Sequence, residues 1–142
     1  MSDLRVATGT PVVIDSSVAF KWYDRTESGA NEALGLLEQH RVDTIALVAP
    51  VTLPLEVLNG LACRPTPLEI LRDVEQELSD ADLALAPLES WLLTAALEIS
   101  LDEHIPLYDA LFIALAERLE APLVTADRRQ ATTRRCAVRL LD

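Results

Sequence analysis

Four short segments constrain the fold of this 142-residue chain more than anything else in it. They are PVVID (11–15), TIALVAP (44–50), ADLALAPL (81–88) and APLVTAD (121–127), each apolar through its centre. A strand with one face in water alternates apolar and polar residues; a strand covered on both faces does not. CAVRLLD (136–142) reads as a fifth strand.

Helical spacing fills the intervals. SSVAFKWY (16–23) follows the first strand, with Ser16 or Ser17 as its N-cap. A second helix spans 27–40, with Ala30, Ala33, Leu34 and Leu37 on one face. VTLPLEVLNGLA (51–62) has Thr52 as a cap and Pro54 in its first turn, where a missing N–H costs little. PTPLEILRDVEQEL (65–78), ESWLLTAALEISLDEH (89–104) and PLYDALFIALAERLE (106–120) complete the set. Alternating strands and helices predict an α/β fold: a three-layer α/β/α sandwich with a four- to five-stranded, mainly parallel sheet, in one domain over 1–142. Leu and Ala dominate an apolar half of the chain, enough for one core.

Other features set limits. No run of about 18 uncharged apolar residues is present, so no membrane span is expected. The opening MSDLRVATGT has no apolar export core, and Cys63 and Cys136 match no metal or redox spacing. Both points lead us to expect a cytoplasmic protein with two reduced thiols. The net charge of −11 argues against a broad nucleic-acid surface. Its distribution is uneven, however. Ten acids and one base, Arg72, lie between Glu69 and Glu103, whereas the last fifteen residues hold five arginines and one acid.

Open parallel sheets bind ligands beyond the carboxyl ends of their strands. Four acids fall where they can face that edge. Asp15 ends the first strand, Glu56 and Asp109 lie in early helical turns, and Asp127 follows LVT. Taken singly, each has an ordinary explanation as a cap or a complement to a helix dipole. Glu56 in LPLEVL and Asp109 beside ALFIALA nevertheless stand among apolar neighbours, where an uncompensated carboxylate is costly. Two like charges about 4 Å apart repel by about 4 kcal/mol at an effective dielectric near 20. An oxygen-liganded Mg²⁺ or Mn²⁺ would remove that penalty.

In order and spacing, VVIDSSVAFKW, APVTLPLEVLNGL and LYDALFIALAERLEAPLVTADRR resemble the successive motifs of PIN-domain ribonucleases, with the VapC toxins of toxin–antitoxin pairs the closest match. The resemblance runs from about Pro11 to Leu141. It implies a metal-dependent endoribonuclease in which Asp15, Glu56, Asp109 and Asp127 are the acids of the site, holding Mg²⁺ or Mn²⁺ and activating water against RNA. Asp15 and Asp109 would be the most direct ligands, then Asp127, with Glu56 orienting water or acting as base. Ser17 and Thr125 match small hydroxyl positions beside the acids, and Asn59 a polar position one turn after Glu56. For substrate contact, Arg128, Arg129 and Arg134 are the candidates, with Lys21 and Arg25. A cognate antitoxin and a homodimer are the implied partners, with Trp22 and Tyr23 as candidate dimer residues or simply core. His40 and His104 are given no role, and Trp91 is expected in the core.

Other readings stay open: a PIN-like nuclease outside a toxin–antitoxin pair, or a non-catalytic α/β interaction module. A receiver domain would need an early acidic pair and a late lysine. A haloacid-dehalogenase-type phosphatase would need a second Asp where Ser17 stands.

Overall fold

In the computed structural model, which describes residues 9–142, five strands form one sheet. Nearly all of the opening MSDLRVATGT lies outside the described residues. The strands are β1 (Thr10–Ile14), β2 (Ile45–Pro50), β3 (Ala84–Ala86), β4 (Leu123–Thr125) and β5 (Val138–Leu140). They lie in the order β3-β2-β1-β4-β5, and every neighbouring pair is parallel. Val13, Ile14, Leu47, Val48, Leu123 and Val124 are buried one after another, as strands covered on both faces must be.

Six helices cover the sheet: α1 (Ser16–Phe20), α2 (Ala30–Arg41), α3 (Leu53–Ala62), α4 (Leu68–Asp80), α5 (Ser90–Glu103) and α6 (Leu107–Leu119). The chain steps outward from β1 to β2 and β3, then returns across the sheet to β4 on the other side of β1. Right-handed crossovers therefore lay α1–α4 on one face and α5 and α6 on the other. Helix α6 packs on α5, β1 and β2, and its segment ALFIALA is buried all round. That continuous burial explains why it shows no apolar stripe.

The direction reversal between β1 and β4 is a topological switch point, where the connections leaving the two strands diverge and open a crevice. Asp15 leaves β1 at that crevice and Asp127 follows β4.

Several local expectations change. Asp15, not Ser16 or Ser17, caps α1: it has extended backbone and its carboxylate accepts from the Ser17 N–H. The helix is also short, giving way to a 3₁₀ turn at Lys21–Tyr23. Helix α2 starts at Ala30 rather than residue 27, because Gly29 before it takes φ 79°, a conformation glycine adopts without strain. Thr52 precedes α3 without capping it through its side chain. The third strand shrinks to three residues, set between Asp82 at φ 53° and Pro87. Trp91 is half-buried against the core, with the Arg118 guanidinium 4.7 Å above its ring. Trp22 is buried and donates from Nε1 to the Ala33 carbonyl at 2.8 Å, so it belongs to the core and not to a partner surface. Cys63 and Cys136 are both free thiols.

His40 has a structural part that nothing in its sequence surroundings announces. It is buried, its Nδ1 accepts from the Leu47 N–H at 3.0 Å, and its Nε2 therefore donates toward the Ala81 and Asp82 carbonyls, at 2.9 and 3.2 Å. One imidazole thus ties α2 to β2 and to the turn before β3. His40→Ala strips a buried N–H of its acceptor and leaves a void. We expect a loss of about 3 kcal/mol, read from the urea midpoint; a change below about 0.5 kcal/mol, the scale of an ordinary surface substitution, would refute this role.

Candidate metal centre

Each of the four acids is delivered to the switch-point crevice by a different element. Asp15 comes from the β1–α1 junction, Glu56 from the first turn of α3, Asp109 from the first turn of α6 and Asp127 from the turn after β4. Helices α1 and α3 lie close enough for Ser16 Oγ to donate to Glu56 Oε1 at 3.3 Å. One turn along, Gly60 makes that approach possible, since a Cβ there would stand 3.0 Å from the Phe20 ring.

Asp15 is held most firmly. Its Oδ2 accepts from Ser17 N at 3.1 Å and from Ser17 Oγ at 2.5 Å, and its Oδ1 accepts from Gln130 Nε2 at 3.2 Å. Ser17 Oγ in turn accepts from the Ala126 N–H at 3.0 Å, which fastens the ends of β1 and β4 together. Glu56 Oε2 receives a hydrogen bond from Thr52 Oγ1 at 2.9 Å. Thr125 is fully buried and its Oγ1 accepts from Asp127 N at 3.0 Å; Asp127 Oδ1 accepts from Arg129 N at 2.9 Å. Ser17 is thus bonded to Asp15, and Thr125 to the backbone of Asp127. Asn59 is exposed, and among the described residues no hydrogen bond joins it to any of the four.

The acids repel one another. Burial first, and then the Asp15 and Asp127 charges, push Asp109 up to about 6, with Arg129 opposing. Glu56 is pushed up to about 7, chiefly by burial, with the Asp15 and Asp109 charges adding to it against the Thr52 and Ser16 hydrogen bonds. Burial also raises Asp15, the Asp127 charge reinforcing it and the Ser17 and Gln130 contacts working the other way. None of the four forms an ion pair among the described residues. A set of hard carboxylate oxygens, partly desolvated and without an ion pair among the described residues, suits a divalent cation such as Mg²⁺ or Mn²⁺. The set is not a tight cage, however: among the described residues no group of three or more His, Cys, Asp or Glu side chains is drawn into a ready-made coordination cluster.

The basic candidates separate. Lys21 is buried, its Nζ donating to the Ser28 carbonyl at 2.6 Å and to Glu27 Oε1 at 3.1 Å. This corrects its selection as a substrate contact: the ammonium is consumed in holding the α1–α2 connection. Arg135 is likewise engaged, bridging Asp102, Glu103 and Glu117. Arg25, Arg128, Arg129 and Arg134 are exposed. Arg128 pairs with Asp142 at 2.8 Å on the surface, a contact that salt screens, and Arg129 donates to the His104 carbonyl at 3.1 Å.

One residue at the centre carries no sequence signal. Gln130, in the 3₁₀ turn Gln130–Thr132, is fully buried; its Nε2 reaches Asp15 Oδ1 and also the Asp109 carbonyl, at 3.0 Å, while its Oε1 has no partner. An unpaired buried carbonyl costs about 1–3 kcal/mol. Only the distance in sequence hid it, because a glutamine in RRQATT reads as loop.

Comparison with known proteins bears on the fold that carries these residues. The family described as PIN domain matches residues 12–135. No curated protein matches the chain by sequence at a significant level. Among solved structures, VapBC2 from Rickettsia felis, bound to a DNA fragment from its promoter, is similar with a TM-score of 0.70 at 12% identity, covering 94% of this chain and 100% of that one. FitAcB from Neisseria gonorrhoeae gives 0.66 at 14%, covering 89% and 95%. VapBC-5 from Mycobacterium tuberculosis, described as a member of the VapBC family of toxin–antitoxin systems, gives 0.58 at 18%, covering 93% and 98%. At these identities the likeness is one of fold.

Proposed function

Because the chain belongs to the PIN domain family, a family of nucleases, we propose that it is a metal-dependent endoribonuclease and the toxin of a toxin–antitoxin pair. One observation carries the reading: Asp15, Glu56, Asp109 and Asp127 stand close enough for the charges of Asp15, Asp109 and Asp127 to push up neighbouring carboxyls of the set, and none of the four forms an ion pair among the described residues. Asp15, Asp109 and Asp127 would hold Mg²⁺ or Mn²⁺, and Glu56 would help orient it. When bound, such an ion supplies Lewis-acid polarisation of a phosphodiester and makes a nearby water more acidic.

The chain's own residues supply the rest. Glu56, half-buried and poised near neutrality, suits acceptance of a proton from the attacking water. Ser16 and Thr52 aim its two oxygens. Ser17 fixes the plane of Asp15, and Thr125 sets the turn that carries Asp127. Arg128 and Arg129, directly after Asp127, offer exposed positive charge for an RNA backbone, with the exposed Arg134 further along the same segment. In-line displacement would leave 5′-phosphate and 3′-hydroxyl ends.

The toxin assignment draws on the similar folds of proteins described as belonging to toxin–antitoxin systems and on the carboxylate cluster itself, a natural target for an antitoxin arginine. A homodimer would find its apolar surface in Leu93, Leu97 and Leu101, exposed at four-residue spacing on α5, since Trp22 is not available. Among the described residues no helix is long and apolar enough to cross a membrane; cytoplasmic action belongs to the same proposal.

The direct test incubates purified protein with total cellular RNA, with Mn²⁺ or with a chelator, and maps the new ends. Discrete cleavages with 5′-phosphates that vanish with the chelator are expected. RNA left intact in the presence of metal would overturn the reading.

A further inference from the structure

Gln130 has no part in the roles assigned above, yet it touches two of the four acid-bearing elements from a third. Its side-chain amide has two hydrogens and both are spent: one on Asp15 Oδ1 at 3.2 Å, the other on the Asp109 carbonyl at 3.0 Å. Turning the amide over would set Oε1 against two acceptors, so the orientation is fixed. The consequence is a buried Oε1 without a partner. For packing alone, an apolar side chain of the same length would serve better. What the amide adds is a grip. Ser17 holds Oδ2 of Asp15 and Gln130 holds Oδ1, so the carboxylate cannot rotate. The second N–H ties that carboxylate to the first turn of α6, where Asp109 begins its side chain.

The donor's neutrality matters as well. A lysine or arginine at this distance would form an ion pair with Asp15 and compete with any cation. A carboxamide orients the carboxylate and leaves its charge in place.

We propose that Gln130 is a positioning residue of the metal centre, locking the Asp15 carboxylate to the start of α6 so that Asp15 and Asp109 face the crevice in a fixed relation. The inference rests on the metal-dependent reading given above, and the experiment separates the two. Mn²⁺ is titrated calorimetrically into the wild-type protein and into Gln130→Met, which keeps the length and removes the amide. The wild type binds, and Gln130→Met binds about tenfold more weakly. Its metal-free melting temperature stays at or above the wild-type value, and kcat for RNA falls while KM holds. A purely structural glutamine would lower the melting temperature and spare Mn²⁺ affinity.

A second measurement needs no variant. In the ¹⁵N-labelled wild-type protein, the Gln130 side-chain NH₂ signals shift when Mg²⁺ is added. Gln130→Met binding Mn²⁺ within about twofold of wild type, or NH₂ signals unmoved by Mg²⁺, would overturn the positioning role alone. A wild type that binds no Mn²⁺ would overturn the metal-dependent reading and this inference with it.

Discussion

Asp109→Asn is expected to lower RNA cleavage on the order of 10²–10³-fold and, at the same time, to make the metal-free protein more stable. The two effects have one origin. Asp109 is half-buried and pushed up to about 6 by desolvation and by the charges of Asp15 and Asp127. Its carboxylate makes no hydrogen bond among the described residues; only its backbone carbonyl does, to Gln130. Asparagine keeps the shape and removes the charge, so the fold loses a repulsion and the site loses a ligand. Sites selected for function commonly hold such strain against stability. The gain in melting temperature should be present at pH 8, shrink as pH falls through about 6, and vanish only below about pH 3, where the aspartate is protonated in both folded and unfolded chains. Metal-dependent cleavage by the variant at a rate near that of wild type would sink the assignment of Asp109. A melting temperature below wild type at pH 8 would contradict the repulsion.

The second large effect is a crossing of acid and metal. Glu56 sits near 7, Asp109 near 6 and Asp15 above its ordinary value, whereas all three return to ordinary carboxyl values on unfolding. Between about pH 4 and pH 7 the folded chain therefore holds more protons than the unfolded one, so stability falls as pH rises. These groups favour the metal-free fold fully below about pH 4 and lose that contribution as pH passes through 6 and 7. Asp24, held down to about 2 by Thr26 and Arg64, acts the opposite way but only at lower pH. Mn²⁺ should reverse the trend, since it replaces the protons. At a hundredfold excess over its dissociation constant it adds about 2.7 kcal/mol, and its affinity should weaken as pH drops from 8 to 5. Calorimetric melts from pH 4 to 8, with and without Mn²⁺, should give curves that meet in acid and separate above neutrality. Equal stabilisation by Mn²⁺ at pH 5 and pH 8 would show that the ion binds elsewhere.

The sheet and the acids at its edge are legible in the amino-acid sequence. PVVI, IALVA and LVT are short apolar runs without alternation, and they form parallel strands buried on both faces. The acids at their exits follow from that sheet, because strand ends are where a parallel sheet opens. What the sequence does not display is decided by contacts far along the chain. Gln130 reaches Asp15 across 115 positions, and His40 reaches Ala81 across 41. Polar residues in polar surroundings give no local sign that a fold will enclose them. Lys21 misleads for a related reason: a lone lysine reads as surface, yet Glu27 and the Ser28 carbonyl give it a buried seat. The cap of α1 is ambiguous because Asp15, Ser16 and Ser17 are all good cap formers, and only the extended backbone at Asp15 chooses between them.

Helix α6 has no side turned to solvent from Ala110 to Ala116, and its first turn carries Asp109. A helix lying on a surface can tilt to absorb a misfit, whereas one gripped all round acts as a rigid post. Any change of volume at Phe112 or Ile113 is passed along its axis to a carboxylate barely one turn away. The alignment of the crevice is therefore a property of the interior, and side chains that never meet substrate hold it in register.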